Sequence, residues 1–87
     1  MPRADPQPGL ACAVRQLRTA RGLSQEELAH RAGVHLTWIG RLESGATNPT
    51  WAITKRVAHG LGVTHARLAE LGEAKDSELA GAGDAGA

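Results

Sequence analysis

The side chains that could do acid–base or metal chemistry are few, and they lack the spacing such chemistry needs. His30, His35, His59 and His65 form no ligand pattern with one another or with Cys12, the sole cysteine, and a zinc site of the usual kind has no second thiolate to draw on. No Ser-His-Asp set, glycine-rich phosphate loop or paired carboxylates can be assembled from the sequence. No metal, cofactor or small-molecule substrate is expected, and the chain does not read as an enzyme. What remains is the chemistry of recognition. Arginine presents a planar fork of donors that engages two acceptors at once, and hydroxyls and amides bond singly. Arg41 and Thr37 stand four residues apart, one turn of a helix, and would share a face of it.

The distribution of charge points the same way. Residues 1–69 carry nine Lys or Arg against four acidic residues, whereas residues 70–87 carry one against five. A basic body suits a polyanionic partner, although a solvated surface explains the same asymmetry. Apolar residues make up 41% of the chain, as in a soluble globular protein, and aromatics only 2%, so Leu, Val, Ile and Ala must build the core. With 87 residues there is room for one domain. No signal peptide or membrane-spanning run is evident, and the lone cysteine fits a reducing, cytoplasmic setting.

The elements that would position these residues are legible from punctuation. Residues 1–8 hold three prolines and read as a flexible arm; residues 72–87, rich in Gly, Ala and acids, read as a disordered acidic tail. Between them, residues 9–71 predict an all-α domain of five short helices. Leu10, Val14 and Leu17 mark one face of a first helix ending at Gly22. Ser24 and Glu27 form a capping box for a second, about 24–32, which stops at Gly33. The third, about 36–44, buries Ile39 and Leu42 and ends at Gly45. Thr50 caps a fourth, about 50–60, with Ile53, Val57 and Leu61 inward, and Thr64 caps a fifth, about 65–71, anchored by Leu68. Only Gly33-Val34-His35 joins the second helix to the third. So short a link forces a steep crossing, the helix-turn-helix geometry that projects the second helix of the pair into the major groove of DNA.

The ordered set Gly22-Leu23-Ser24-Gln25-Glu26-Glu27-Leu28-Ala29, Ala32-Gly33-Val34, Ile39, Leu42-Glu43-Ser44-Gly45, Asn48-Pro49-Thr50, Val57-Ala58 and Leu61-Gly62-Val63 resembles the phage-repressor, or xenobiotic-response-element, type of helix-turn-helix. The resemblance spans about residues 10–71 and implies a five-helix domain that binds operator DNA, usually as a dimer. The exposed face of the third helix would then read bases. Arg41 suits guanine O6 and N7, and Thr37 a base edge or a thymine methyl. Leu36 either touches such a methyl or packs on Trp38 or the turn. Gly40 stands on the same face, where the family usually has a polar side chain, and either permits close approach or removes a contact.

By the same resemblance Gln25 bonds phosphate at a helix N-terminus, and Ser44, Thr47 and Asn48 run along the DNA backbone, although all three are also ordinary turn formers; His35, in the turn or the first turn of the third helix, is a further phosphate-binding candidate. Arg18 and Glu43 correspond to a buried structural ion pair and not to DNA ligands. Arg15, Arg21, Lys55 and Arg56 are phosphate candidates through charge alone.

Trp51 reads as a partly buried plug at the start of the fourth helix. Trp38 either caps the core or lies against sugar-phosphate. Ile53-Thr54 reverses the usual polar-then-apolar order and leaves the inward face of the fourth helix open by one position. Two functions compete. The first is a sequence-specific transcriptional regulator, a homodimer on double-stranded DNA paired through the fifth helix. The second is a protein-interaction module, an antitoxin or adaptor on the same fold.

Overall fold

The computed structural model describes residues 7–45 and 47–85. Five helices follow in order: α1 (Pro8–Ala20), α2 (Gln25–Ala32), α3 (Leu36–Ser44), α4 (Trp51–Gly60) and α5 (His65–Ala85). There is no strand among the described residues, and no helix among them is long and apolar enough to cross a membrane.

Each helix starts where a side chain supplies an acceptor for backbone N–H groups that have no partner within the helix. Ser24 Oγ accepts from the Glu27 N–H at 3.0 Å while Glu27 Oε1 accepts from the Ser24 N–H at 3.0 Å, closing the capping box. The Ser24 N–H, and after it the Ser24 hydroxyl, hold the Glu27 carboxyl below its ordinary value, since hydrogen bonds to the carboxylate favour the charged form. Thr50 Oγ1 accepts from Ile53 at 3.2 Å and Thr64 Oγ1 from Arg67 at 3.0 Å. For α3 the acceptor is an imidazole: His35 Nδ1 takes the Thr37 N–H at 3.0 Å. α1 opens on Pro8 with no cap from Gln7. Its Gly9 N–H donates instead to Asp76 Oδ1, at 2.9 Å, from α5.

The core is a single cluster in which Val14, Leu28, Ile39, Val57, Leu61 and Leu68 are fully buried, with Ala13, Ala29, Ala32, Leu42 and Ala58 around them. It draws on all five helices, as the apolar spacing predicts. Small residues set how closely the helices approach. A Cβ at Gly60 would stand 2.9 Å from the Ala32 N and 3.1 Å from its Cα, so α4 meets the end of α2 backbone to backbone. A Cβ at Gly9 would collide with the Gly72 carbonyl and the Asp76 carboxylate.

The structure departs from the sequence expectations at three places. Residues 72–85, expected to be a disordered tail, continue α5. The reason is that α5 lies mainly on α1: Gly72 is buried against Leu10, Asp76 caps α1, and Lys75 pairs with Glu78 at 3.0 Å. At the other end, Pro8 already belongs to α1 and the Gln7 N–H donates to the Gly45 carbonyl at 2.9 Å, while the rest of the expected arm, residues 1–6, lies outside the described residues. Trp51 is no plug: it is 72% exposed, its ring edge-on to His65 at 4.1 Å between centroids, and the side chain of the first turn of α4 that packs on the core is half-buried Ile53. Ile53 therefore faces inward, and the neighbouring Thr54 hydroxyl is satisfied by the Thr50 carbonyl at 2.9 Å. Leu68 is fully buried, as its anchoring place predicts, and Leu71 packs half-buried on the core, which leaves little of either leucine for a dimer contact.

Candidate nucleic-acid interface

The corner between α2 and α3 is made by the backbone. Gly33 adopts φ +68°, a left-handed conformation that costs a residue with a Cβ. Its N–H reaches the His30 carbonyl at 3.2 Å and that of Val34 reaches Ala29 at 3.1 Å, which closes α2. Val34 then packs on the core, and α3 leaves at an angle with one side outward. Arg56 braces the turn from α4, its Nη1 donating to the Gly33 carbonyl at 3.2 Å.

The two sides of α3 do different things. Ile39, Leu42 and Glu43 are buried. Leu36, Thr37, Arg41 and Ser44 are exposed and Gly40 is half-buried, so the four residues expected to read bases share one outward arc. Leu36 is 40% exposed and so is not consumed by packing. A Cβ added at Gly40 would meet nothing within 4 Å. Nothing in the fold requires glycine there. The Arg41 guanidinium lies over the Trp38 ring, 5.5 Å from its centroid. Trp38 is half-buried and outside the buried cluster.

Glu43 anchors this helix. It is only 4% exposed, and its carboxylate accepts from Arg18 Nε at 2.6 Å and Arg18 Nη2 at 2.9 Å, a paired fork-to-carboxylate contact. Arg18 also donates to the Leu23 carbonyl at 2.8 Å. Gln25 Nε2 adds a bond to Glu43 Oε1 at 3.2 Å, and exposed Arg15 donates to the Glu43 carbonyl at 2.6 Å. One acid thus ties α1, the start of α2 and the end of α3 together. The hydrogen bonds to Glu43, more than its charge, raise the Arg18 guanidinium above its already high value against the opposing effect of burial. No buried side-chain nitrogen or oxygen among the described residues is without a partner.

The remaining expected site residues sit around α3 without converging on a pocket. Gln25 is half-buried at the start of α2, with one amide N–H engaged by Glu43. His35 caps α3 and is exposed. Because Nδ1 accepts, its ring proton is assigned to Nε2, which is then a donor. The Ser44 hydroxyl donates to the Arg41 carbonyl at 2.7 Å. Half-buried Thr47 and exposed Asn48 lie between α3 and α4. Among the described residues no group of His, Cys, Asp or Glu could hold a metal ion.

Three features were missed from the sequence. The Trp38–Arg41 contact follows from i,i+3 spacing and could have been found. His35 as a cap had a positional signal, standing immediately before the first helical residue. The Asp76–Gly9 bond, across 67 positions, had none.

Two helices joined by three residues, the second with one exposed side, are the arrangement of a DNA-binding domain of the helix-turn-helix class. The sequence matches the family model described as a helix-turn-helix domain over residues 10–71, and the chain belongs to that family, whose members bind DNA and are not enzymes. A protein named as an uncharacterised HTH-type transcriptional regulator from Sinorhizobium fredii is 40% identical over 53 residues, covering 61% of this chain and 69% of that protein. Another so named, from Archaeoglobus fulgidus, is 37% identical over 68 residues, covering 78% and 93%. Among solved structures, the restriction-modification controller protein C.AhdI from Aeromonas hydrophila superposes with a TM-score of 0.68 at 32% identity, over 71% of this chain and 94% of that one. The clp gene regulator ClgR from Corynebacterium glutamicum gives a TM-score of 0.84 at 24% identity over 92% and 85%, a likeness of fold.

Proposed function

We propose that this protein is a transcriptional regulator that reads a short palindromic operator in double-stranded DNA with α3. The observation that carries this reading is the division of α3 into an inward arc held by the Glu43 network and an outward arc of Leu36, Thr37, Gly40 and Arg41 that no packing consumes. Arg41 takes the guanine edge and Thr37 a neighbouring base, while Leu36 offers an apolar contact to a thymine methyl. Gly40 lets the helix backbone approach the groove floor. Gln25, His35, Ser44, Thr47 and Asn48 contact phosphates, Gln25 through its second amide N–H and His35 through Nε2–H. Such contacts fix register without reading sequence.

One reading helix covers one half-site. A homodimer with half-sites one helical turn apart, roughly 34 Å, gives the palindrome. With Leu68 in the core and Leu71 half-buried against it, the large exposed apolar side chain near the start of α5 is Trp51, edge-on to His65, and it is the surface offered to a second copy. Sedimentation of the protein with its selected duplex yields two protomers per site, and Trp51→Ser lowers that to one; a single protomer on the full site with the unchanged protein overturns the dimer.

The experiment is selection of bound duplexes from a random pool with the unchanged protein and with Arg41→Ala. A palindromic motif, relaxed at one base pair per half-site in the variant, is expected. Failure to enrich any motif at low salt, where phosphate attraction is strongest, overturns the reading in favour of a protein-interaction module.

A further inference from the structure

We propose that Trp38 is the positioning residue for Arg41, holding the guanidinium over the indole ring without engaging an N–H group in an ion pair, so that its donors stay free for a base. The inference rests on the reading of Arg41 given above and deepens it. The two residues are one turn apart on α3, with the guanidinium carbon 5.5 Å from the ring centroid, inside the range in which a cation is drawn to an indole face.

Two contrasts give this contact its meaning. The first is with the other arginines around the Glu43 network. Arg18 is held by the Glu43 carboxylate and Arg15 by its carbonyl, so both are fixed at the cost of the N–H groups they donate. Arg41 has no carboxylate within ion-pair distance among the described residues. An aromatic ring attracts the cation without a carboxylate or carbonyl acceptor taking up its N–H groups, and those are the donors a guanine edge needs. The second contrast is with the core. Ile39 and Leu42 fill the inward side of α3 completely, whereas Trp38 is half-buried at its margin. Its ring, a rigid plane on two torsions, is the stiffer partner and serves as a platform for a long side chain that would otherwise sample many rotamers. Restricting those rotamers before binding removes part of the ordering cost of recognition.

The test uses the full chain and the duplex recovered by selection, with Trp38→Phe, Trp38→Leu and Arg41→Ala. In the free protein, the Arg41 side-chain protons show an upfield ring-current shift by NMR, reduced in Trp38→Phe and lost in Trp38→Leu. On DNA, Trp38→Leu lowers discrimination at the base pair identified by Arg41→Ala by about two- to fivefold, Trp38→Phe retains most of it, and affinity for a random duplex is unchanged in both. Absence of the ring-current shift in the unchanged protein overturns the proposal, and that measurement stands even if Trp38→Leu fails to fold. So does undiminished discrimination in a folded Trp38→Leu when Arg41→Ala has relaxed the pair. If Arg41→Ala relaxes no base pair, the reading of Arg41 itself falls, and the role of Trp38 falls with it.

Discussion

Two glycines inside helices, Gly40 and Gly60, make opposite demands, and replacing each by alanine separates them. Glycine in a helix interior costs about 1 kcal/mol relative to alanine, through the extra backbone freedom lost on folding. At Gly40 the new methyl meets nothing within 4 Å, so the full gain is expected: Gly40→Ala raises stability by about 1 kcal/mol, an increase in Tm of roughly 4–8 °C for a domain this small. At Gly60 the methyl would stand 2.9 Å from the Ala32 N and 3.1 Å from its Cα and Cβ. Two of those atoms are backbone, so α2 and α4 must move apart, and overpacking of this kind costs about 1–3 kcal/mol. Gly60 is also the last residue of α4, where the helical gain is smallest. Gly60→Ala is therefore expected to lose about 1–2 kcal/mol. Urea unfolding followed by circular dichroism reads both variants. If both shift the midpoint in the same direction, the assignment of one glycine to packing and the other to the outward face is refuted. A selected-duplex titration adds the functional half: Gly40→Ala is expected to bind DNA more weakly while being the more stable protein. Binding as tight as the unchanged chain's would mean that α3 does not approach the groove floor at that residue.

Other perturbations probe the contacts that hold α3 and its neighbours. Glu43→Ala strands the Arg18 guanidinium, only 15% exposed, and is expected to cost roughly 3–5 kcal/mol; an unfolding midpoint within error of the unchanged protein's contradicts the network. The capping box predicts a pH dependence. Because the Glu27 carboxyl lies below its ordinary 4.5 in the folded chain, its contribution is complete above about pH 4.5 and is lost as pH falls through the depressed folded value, where the unfolded chain binds the extra proton. Stability measured from pH 6 down to pH 3 should fall less steeply in Glu27→Gln, and equal slopes would count against the box. Asp76→Ala removes the acceptor for the first turn of α1 and is expected to lower stability by about 1 kcal/mol, with hydrogen exchange accelerating at Gly9 and Leu10; unchanged exchange there would show that α5 does not cap α1.

How much of this was readable in advance depended on the range of the physics involved. The capping box at Ser24 and Glu27, the left-handed stops at Gly33 and Gly45, and the hydroxyls of Thr50 and Thr64 act across three or four residues, so the helix boundaries around them were legible. So was the outward arc of α3, because it is the complement of Ile39 and Leu42. The pairing of Arg18 with Glu43 crosses 25 positions, and only the family resemblance supplied it. The tail misled because Gly and Ala were weighed as residues with nothing to bury. Laid against α1, the same small side chains are what permit contact, as Gly72 does beside Leu10. Trp51 misled for the reverse reason: bulk was equated with burial, and Ile53 had already taken the inward place.

The geometry of α3 has a consequence for how such a protein diversifies. The residues proposed to meet the bases share no side-chain hydrogen bond with the residue that fixes the helix: the Glu43 carboxylate has Arg15, Arg18 and Gln25 as its partners, and none of Leu36, Thr37, Gly40 and Arg41. A drifting copy of the gene can therefore exchange the outward residues one by one and acquire a new target while inheriting an undisturbed chassis. Specificity and architecture become separately heritable traits, and a library randomised at positions 36, 37, 40 and 41 should return folded proteins with new preferences at high frequency.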